Sequence, residues 1–384
     1  MPAADISPAE ISLPEAIRPS DGRFGSGPSR VPHEAVAALA EAADGYLGTS
    51  HRRAGVRSVV GRLRTGFAEL FSLPAGWEVV LGNGGATGLW DCLSFGLIRR
   101  RSQHLAFGEF SAKFARAVQG TPHLEAPQII EAPFGTHPEP TAADVDVYAL
   151  THNETSTGVQ LPLRRPPGVA AADGLVATDA TSGAGGLRWD PAEVDVYYFS
   201  PQKCFAADGG LWVACCSPAA LERIADIGGS GRWCPPTLSL PLAVKNSAAD
   251  QTYNTPALAT IFLTLQTVEW MCANGGLEWA AGRCDASAAT VYGWAEASEY
   301  AEPFVTLPAQ RSHTVATIDI NAEVADANQI AAALRANGIV DTESYRALGR
   351  NQLRIALFPA IPPDDVASLC ACIDHITARL RPPQ

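Results

Sequence analysis

Seven short apolar runs, separated by helix-like stretches, constrain the fold of this chain more than any other feature. They read WEVVLG (77–82), HLAFG (104–108), PQIIEA (127–132), VDVYAL (145–150), GLVATD (174–179), VDVYYFS (194–200) and GLWVACC (210–216). Runs that stay apolar on successive residues belong to strands buried on both faces. Between them, segments such as ATGLWDCLSFGLIRR (86–100) and SAKFARAVQ (111–119) have helical spacing. The pattern predicts an α/β domain built on a mostly parallel, seven-stranded sheet. The last three runs follow one another closely, so part of the sheet is expected to be mixed.

The texture changes after about residue 255. A long helical stretch covers 255–298, with a break expected at Gly275–Gly276. HTVATIDI (313–320), DANQIAAALRANG (326–338), QLRIALF (352–358) and DDVASLCACIDHITARL (364–380) then alternate strand and helix, the pattern of a compact α+β unit. The expected organisation is an N-terminal segment (1–30) packing on the small domain, a large domain (31–270) and a small C-terminal α+β domain (271–384).

A net charge of −12 argues against a nucleic-acid partner, which calls for a basic face. The first 20 residues lack the basic and apolar regions of a secretory signal, and no run approaches the roughly 18 apolar residues of a membrane span. The nine cysteines have no metal-binding spacing. They read as free thiols in a reducing compartment, and the expected location is cytoplasmic.

Chemistry-bearing residues collect after the strands. VVLGNGGATGLWD (79–91) is a strand, a glycine turn and a helix start, fit either for a tight connection or for cradling a phosphate on the Ala86 and Thr87 amides and the Thr87 hydroxyl. It is neither a Walker loop nor G-x-G-x-x-G, which disfavours a nicotinamide oxidoreductase. Phe110 follows the second run. Asn153, Glu154 and Thr155 follow the fourth, and Asp179 ends the fifth. Lys203, in YYFSPQKCFAADGG (197–210), either turns to water or is held in a closed site because its amine must react. A phosphate anchor, a ring stacker, a hydroxyl donor, a carboxylate and a lysine, all at strand ends, form the inventory for pyridoxal 5′-phosphate (PLP).

These stretches resemble the phosphoserine aminotransferases, members of the class V, fold-type I PLP-dependent aminotransferases. The resemblance runs from FGSGPS (24–29) to LRIALFPAI (353–361) and is strongest at GTSHR (48–52), NETSTG (153–158), SPQKCF (200–205) and YNTPA (253–257). It implies Lys203 as the Schiff-base lysine and Ala86, Thr87 and Gln202 around the cofactor phosphate. Phe110 would stack on the ring, Thr155 would meet the phenolic oxygen and Asp179 the ring nitrogen. Asn254 and Thr255 would reach the cofactor of a partner subunit, implying a homodimer. Many relatives carry tryptophan where Phe110 stands, and histidine where Tyr345 stands.

An arginine within an apolar strand is costly unless paired, so Arg354 is either part of a structural salt bridge or a clamp for a substrate α-carboxylate. His51, Arg52 and Arg346 are candidates for the substrate's side-chain anion. The expected reaction is O-phospho-L-serine plus 2-oxoglutarate to 3-phosphohydroxypyruvate plus L-glutamate, in serine biosynthesis. Transamination of 4-phosphohydroxy-L-threonine in pyridoxine biosynthesis is a further reaction of the family. The alternative is a serine– or alanine–glyoxylate (or –pyruvate) aminotransferase, which has no need of His51 and Arg52. A cysteine desulfurase would want histidine at Phe110, and a transcription regulator would need an appended DNA-binding module.

Overall fold

The computed structural model describes residues 7–170 and 173–380; parts of the N-terminal segment (1–6) and the chain end (381–384) lie outside the described residues. Two helices not anticipated from the sequence come first, α1 (His33–Tyr46) and α2 (Ala54–Leu70). Val56, Val59, Val60, Leu63, Phe67 and Leu70 form the buried stripe of α2, at the spacing of one helix face. Then follow β1 (Glu78–Asn83), α3 (Gly85–Gly96), β2 (Ser102–Ala106), α4 (Glu109–Gln119), β3 (Gln128–Glu131) and β4 (Val147–Thr151). A two-residue-per-strand hairpin, β5 (Asn153–Glu154) and β6 (Val159–Gln160), precedes β7 (Leu175–Asp179), β8 (Val196–Phe199) and β9 (Leu211–Cys216).

Helix α3 stops at Gly96, short of the apolar pattern, because Asp146 takes the next amides: its carboxylate accepts from the N–H groups of Arg99, Arg100 and Arg101 at 2.7–2.9 Å. A carboxylate holding three successive amides competes directly with the helical ladder.

Among the described residues, seven strands form one sheet in the order β1-β9-β8-β7-β4-β2-β3. Strand β9 runs antiparallel to both of its neighbours, and the remaining pairs are parallel. The mixed part expected near the last runs is thus one reversed strand. Strands β4, β7, β8 and β9 are buried along their whole length, which is why their sequences lack polar alternation. The topology places the C-terminal ends of β1, β2, β4, β7 and β8 along one edge, and the reversed β9 brings its start to the same edge.

The chain continues through α5 (Pro218–Gly229), α6 (Leu240–Ser247), α7 (Leu258–Ala273) and α8 (Gly276–Ala297), with the break at Gly275–Gly276 where it was expected. A three-stranded antiparallel sheet, β10 (Ala301–Pro303), β11 (Val315–Ile320) and β12 (Gln352–Ala356), then joins α9 (Ala327–Ala336) and α10 (Pro363–Thr377). Helix α8 serves two apolar cores: Ala280 lies in the core of the large sheet, whereas Ala288, Val291, Tyr292 and Ala295 lie in that of the small one. Ile11, Leu13 and Phe24 belong to the second core as well. Residues 22–24 are stitched there by Val340 N–H donating to Gly22 O, Phe24 N–H to Val340 O and Ala356 N–H to Phe24 O. All nine cysteines are free, and seven are buried. Among the described residues no helix is long and apolar enough to cross a membrane.

Candidate active site

A cavity of about 300 Å3 opens at the shared strand-end edge. Its lining includes Ala86, Thr87, Phe110, Thr155, Asp179, Gln202 and Lys203, so seven of the expected residues meet in one place. Strand β1 delivers the first two. Gly84 and Gly85 follow it, and their φ values of 114° and 65° turn the chain abruptly into α3. Gly88 N–H donates to Gly84 O, so the amides before it have no acceptor inside the helix and face outward at its positive end.

Asp179, at the end of β7, is 7 % exposed. Its carboxylate accepts from Trp90 Nε1 at 3.0 Å and from Thr181 N–H at 2.9 Å, and it has no cationic partner among the described residues. Burial pushes its pKa up, against the lowering pull of the Thr181 and Trp90 bonds, and the nearby charge of Glu154 adds to the rise. A buried carboxylate in this state is built to meet a cationic donor.

Lys203 is 9 % exposed, and its Nζ donates to Ser26 O at 2.5 Å. Burial, reinforced by the positive charge of Arg354, pulls the ammonium down from 10.5 to about 7. The alternative in which Lys203 turns to water is therefore excluded. The covering loop comes from the N-terminal segment: Ser29 N–H donates to Gln202 O, and Gly27 passes so close that a Cβ there would stand 1.7 Å from Nζ. A larger residue there would force the end of the lysine side chain aside.

On the opposite wall, Ser182 Oγ accepts from Thr155 Oγ1 and Asn153 Nδ2, each at 2.8 Å. Arg354 lies beside it on β12, with Nη1 donating to Thr155 O at 3.4 Å and its guanidinium 5.3 Å from the Tyr345 ring centre. Arg354 Nε is buried without a hydrogen-bond partner, and among the described residues no carboxylate pairs with the side chain. The structural salt bridge allowed by the sequence is absent there. Tyr345 also touches Phe110, with ring centres 6.0 Å apart.

Arg354 touches Thr155 but is not itself in the cavity lining, and neither are the remaining expected residues. His51 Nδ1 meets Thr255 Oγ1 at 3.2 Å, Asn254 accepts from Asn83 Nδ2 at 2.7 Å, and Arg52 is exposed beside His51. These residues form a cluster of their own. Arg346 is exposed on the turn after Tyr345. Sequence reasoning missed Trp90, Ser182, Ser26 and Gly27. Trp90 could have been found from its place on the face of α3 below the glycine turn; Ser26 and Gly27 carry no local signal.

The pocket fits PLP on its own terms. It offers free helix-start amides for a phosphate, a buried carboxylate for a ring N–H and a depressed amine for a carbonyl. Gln202 Oε1 and Thr181 Oγ1 are also buried without protein partners.

This fold and this pocket define a PLP-dependent aminotransferase. Residues 137–342 match the family Aminotransferase class-V, and the chain belongs to that family. The relatives narrow the likeness. The chain is 56% identical over 372 residues (97% of the chain, 99% of the relative) to a protein of Mycolicibacterium paratuberculosis named putative phosphoserine aminotransferase. It is 55% identical over 369 residues (96% and 98%) to the phosphoserine aminotransferase of Rhodococcus jostii. In fold it is similar to a phosphoserine aminotransferase crystal structure from Cytophaga hutchinsonii, with a TM-score of 0.82 at 24% identity, covering 92% of this chain and 99% of the other.

Proposed function

We propose that the protein catalyses reversible transamination between O-phospho-L-serine and 2-oxoglutarate, giving 3-phosphohydroxypyruvate and L-glutamate. The observation that carries this reading is Arg354, a half-buried guanidinium whose Nε is buried without a partner and which no carboxylate pairs among the described residues, close enough to the buried Lys203 for its charge to help lower the lysine's pKa. The relatives' names supply the substrate class.

Bound in this pocket, PLP supplies a carbonyl that captures an amino group and a ring that absorbs the electron pair left at Cα. The protein does the rest. The amides of Ala86 and Thr87, with Gln202, hold the phosphate at the start of α3. Asp179 would be the partner of the ring nitrogen, where a carboxylate favours the protonated form. Phe110 would pack on the ring and Thr155 would meet its phenolic oxygen. Arg354 receives the substrate α-carboxylate in a two-pronged bond, which fixes Cα–H relative to the ring. Lys203, with a proton affinity close to ambient, takes the Cα proton and returns it on the other side of the half-reaction. The Ser26–Pro28 loop covers Lys203 and keeps water from it.

His51, Arg52, Asn254 and Thr255 serve the neighbouring subunit of a homodimer, where Arg52 and His51 meet the side-chain phosphate or carboxylate; Arg346 approaches the same anion from its own chain. The organisation into domains follows the two cores, with the N-terminal segment on the small one. The setting is cytoplasmic serine biosynthesis, and 4-phosphohydroxy-L-threonine is a further amino donor to include in the panel below.

Two measurements test this. Borohydride treatment of the PLP-loaded protein followed by peptide mapping is expected to tag Lys203; a tag on Lys113 or Lys245 would remove Lys203 from its role. A panel of amino donors, scored by conversion of bound PLP to pyridoxamine phosphate, is expected to rank phosphoserine and glutamate far above serine and alanine. The reverse ranking would move the reading to a small-substrate aminotransferase.

A further inference from the structure

Glu154 is the most thoroughly bonded carboxylate near the site, and none of the steps above uses it. Its side chain is 0 % exposed and has no cationic partner among the described residues. Five donors surround it instead. Oε2 accepts from Ser111 N–H and Ser111 Oγ, both at 2.9 Å. Oε1 accepts from Phe110 N–H at 3.3 Å, Ser156 N–H at 3.2 Å and Ser156 Oγ at 2.7 Å. Phe110 and Ser111 are the second and third residues of α4, whose amides a helix cannot satisfy itself. The residue before α4 is Gly108, which has no side chain to cap it, so the cap arrives from more than forty positions downstream.

The placement of Glu154 separates this from an ordinary cap. Its neighbours Asn153 and Thr155 both line the cavity, and so does Phe110. The Ser156 hydroxyl closes the connection by accepting from Glu109 N–H at 3.0 Å. One carboxylate therefore ties the wall that carries the aromatic ring to the turn that carries the hydroxyl.

We propose that Glu154 is a positioning residue that sets Phe110 against the cofactor ring by locking the start of α4 to the Asn153–Ser156 turn. The proposal rests on the PLP reading of the cavity. A carboxylate suits the task because two oxygens must accept from five donors at the positive end of a helix. Glutamine has the same shape but offers one oxygen, and turns an NH2 group on backbone N–H groups that cannot accept from it.

The test uses the full-length protein freed of PLP and titrated with PLP, with tryptophan fluorescence reporting affinity and visible circular dichroism reporting the tilt of the bound ring. For Glu154→Gln the expected result is PLP binding weakened by about tenfold or more, with a reduced dichroic band. In a Phe110→Ala background the same substitution is expected to add less than about twofold, because the group it positions is already gone. A full tenfold loss in that background, or unchanged affinity and dichroism in the single variant, would overturn the proposal. Should Glu154→Gln not fold, Ser156→Ala decides. It removes one donor, and a smaller weakening that vanishes in the Phe110→Ala background supports the role, whereas no change refutes it. Failure of the unmodified protein to bind PLP at all would remove the cofactor reading itself, and this proposal with it.

Discussion

Trp90→Phe isolates one of the hydrogen bonds that pull the pKa of Asp179 down against the rise caused by burial. Trp90 is 5 % exposed and Asp179 7 %, and the indole Nε1–H to carboxylate bond spans 3.0 Å. Phenylalanine keeps the ring that stacks on Phe114 (centres 5.9 Å apart, planes 17° from parallel) and removes only the donor. A buried hydrogen bond to a charged acceptor contributes about 1.5–3 kcal/mol in favour of the ionised form. That corresponds to roughly a ten- to hundredfold change in the proton-binding equilibrium. The sign follows from the remaining influences. Burial already raises the pKa of Asp179, Glu154 pushes the same way, and with Trp90 gone only the Thr181 bonds oppose them. The protonated acid therefore persists to higher pH, and the acid limb of the activity profile moves upward. Profiles of kcat/KM against pH for phosphoserine, with both proteins saturated in PLP, are the assay. The variant is expected to lose about ten- to a hundredfold on the acid limb and to recover as pH rises. An acid limb at the same pH in both proteins would refute the claim that Trp90 pulls the pKa of Asp179 down.

Three further outcomes are expected. Capture of PLP by the cofactor-free enzyme needs the neutral amine, so its rate should rise with pH and level off above about 7; a midpoint near the ordinary lysine value of 10.5 would contradict the burial of Lys203. Gly27→Ala puts a methyl group into the place of Nζ, so it should abolish borohydride tagging of Lys203 while the protein stays folded; stoichiometric tagging would show that the loop gives way. Arg52→Ala should cost phosphoserine and glutamate about ten- to a hundredfold in kcat/KM and leave alanine nearly unchanged, whereas Arg354→Ala should cost all three; equal losses across donors for Arg52→Ala would refute the side-chain-anion role.

The large sheet was legible because strands buried on both faces must be apolar throughout, as LVATD and LWVACC are. The residues at their ends were legible for a related reason: Asp179 and Lys203 are polar interruptions where burial penalises them. Helices α1 and α2 escaped notice because their apolar positions are diluted by alanine, glycine and arginine. Trp90 was hidden by its own hydrophobicity, since a tryptophan on a buried helix face looks like core until its N–H is traced to a carboxylate. Glu154 stood out as part of a polar cluster, but its partners Phe110 and Ser111 are supplied by tertiary structure. The same holds for the cluster of His51 with Thr255, 204 positions apart.

The loop over Lys203 has a consequence for how the enzyme comes into being. Its carbonyl at Ser26 lies 177 positions before the amine it accepts from, and the backbone of residues 22–24 bonds to Val340 and Ala356. On the ribosome, the segment that shields the reactive lysine emerges first and must wait for nearly the whole polypeptide before its anchorage exists. Until then the Ser26 carbonyl has no fixed place over the amine. The cover over Lys203 is thus completed only by the last part of the chain, and a C-terminally truncated chain would hold Lys203 without it.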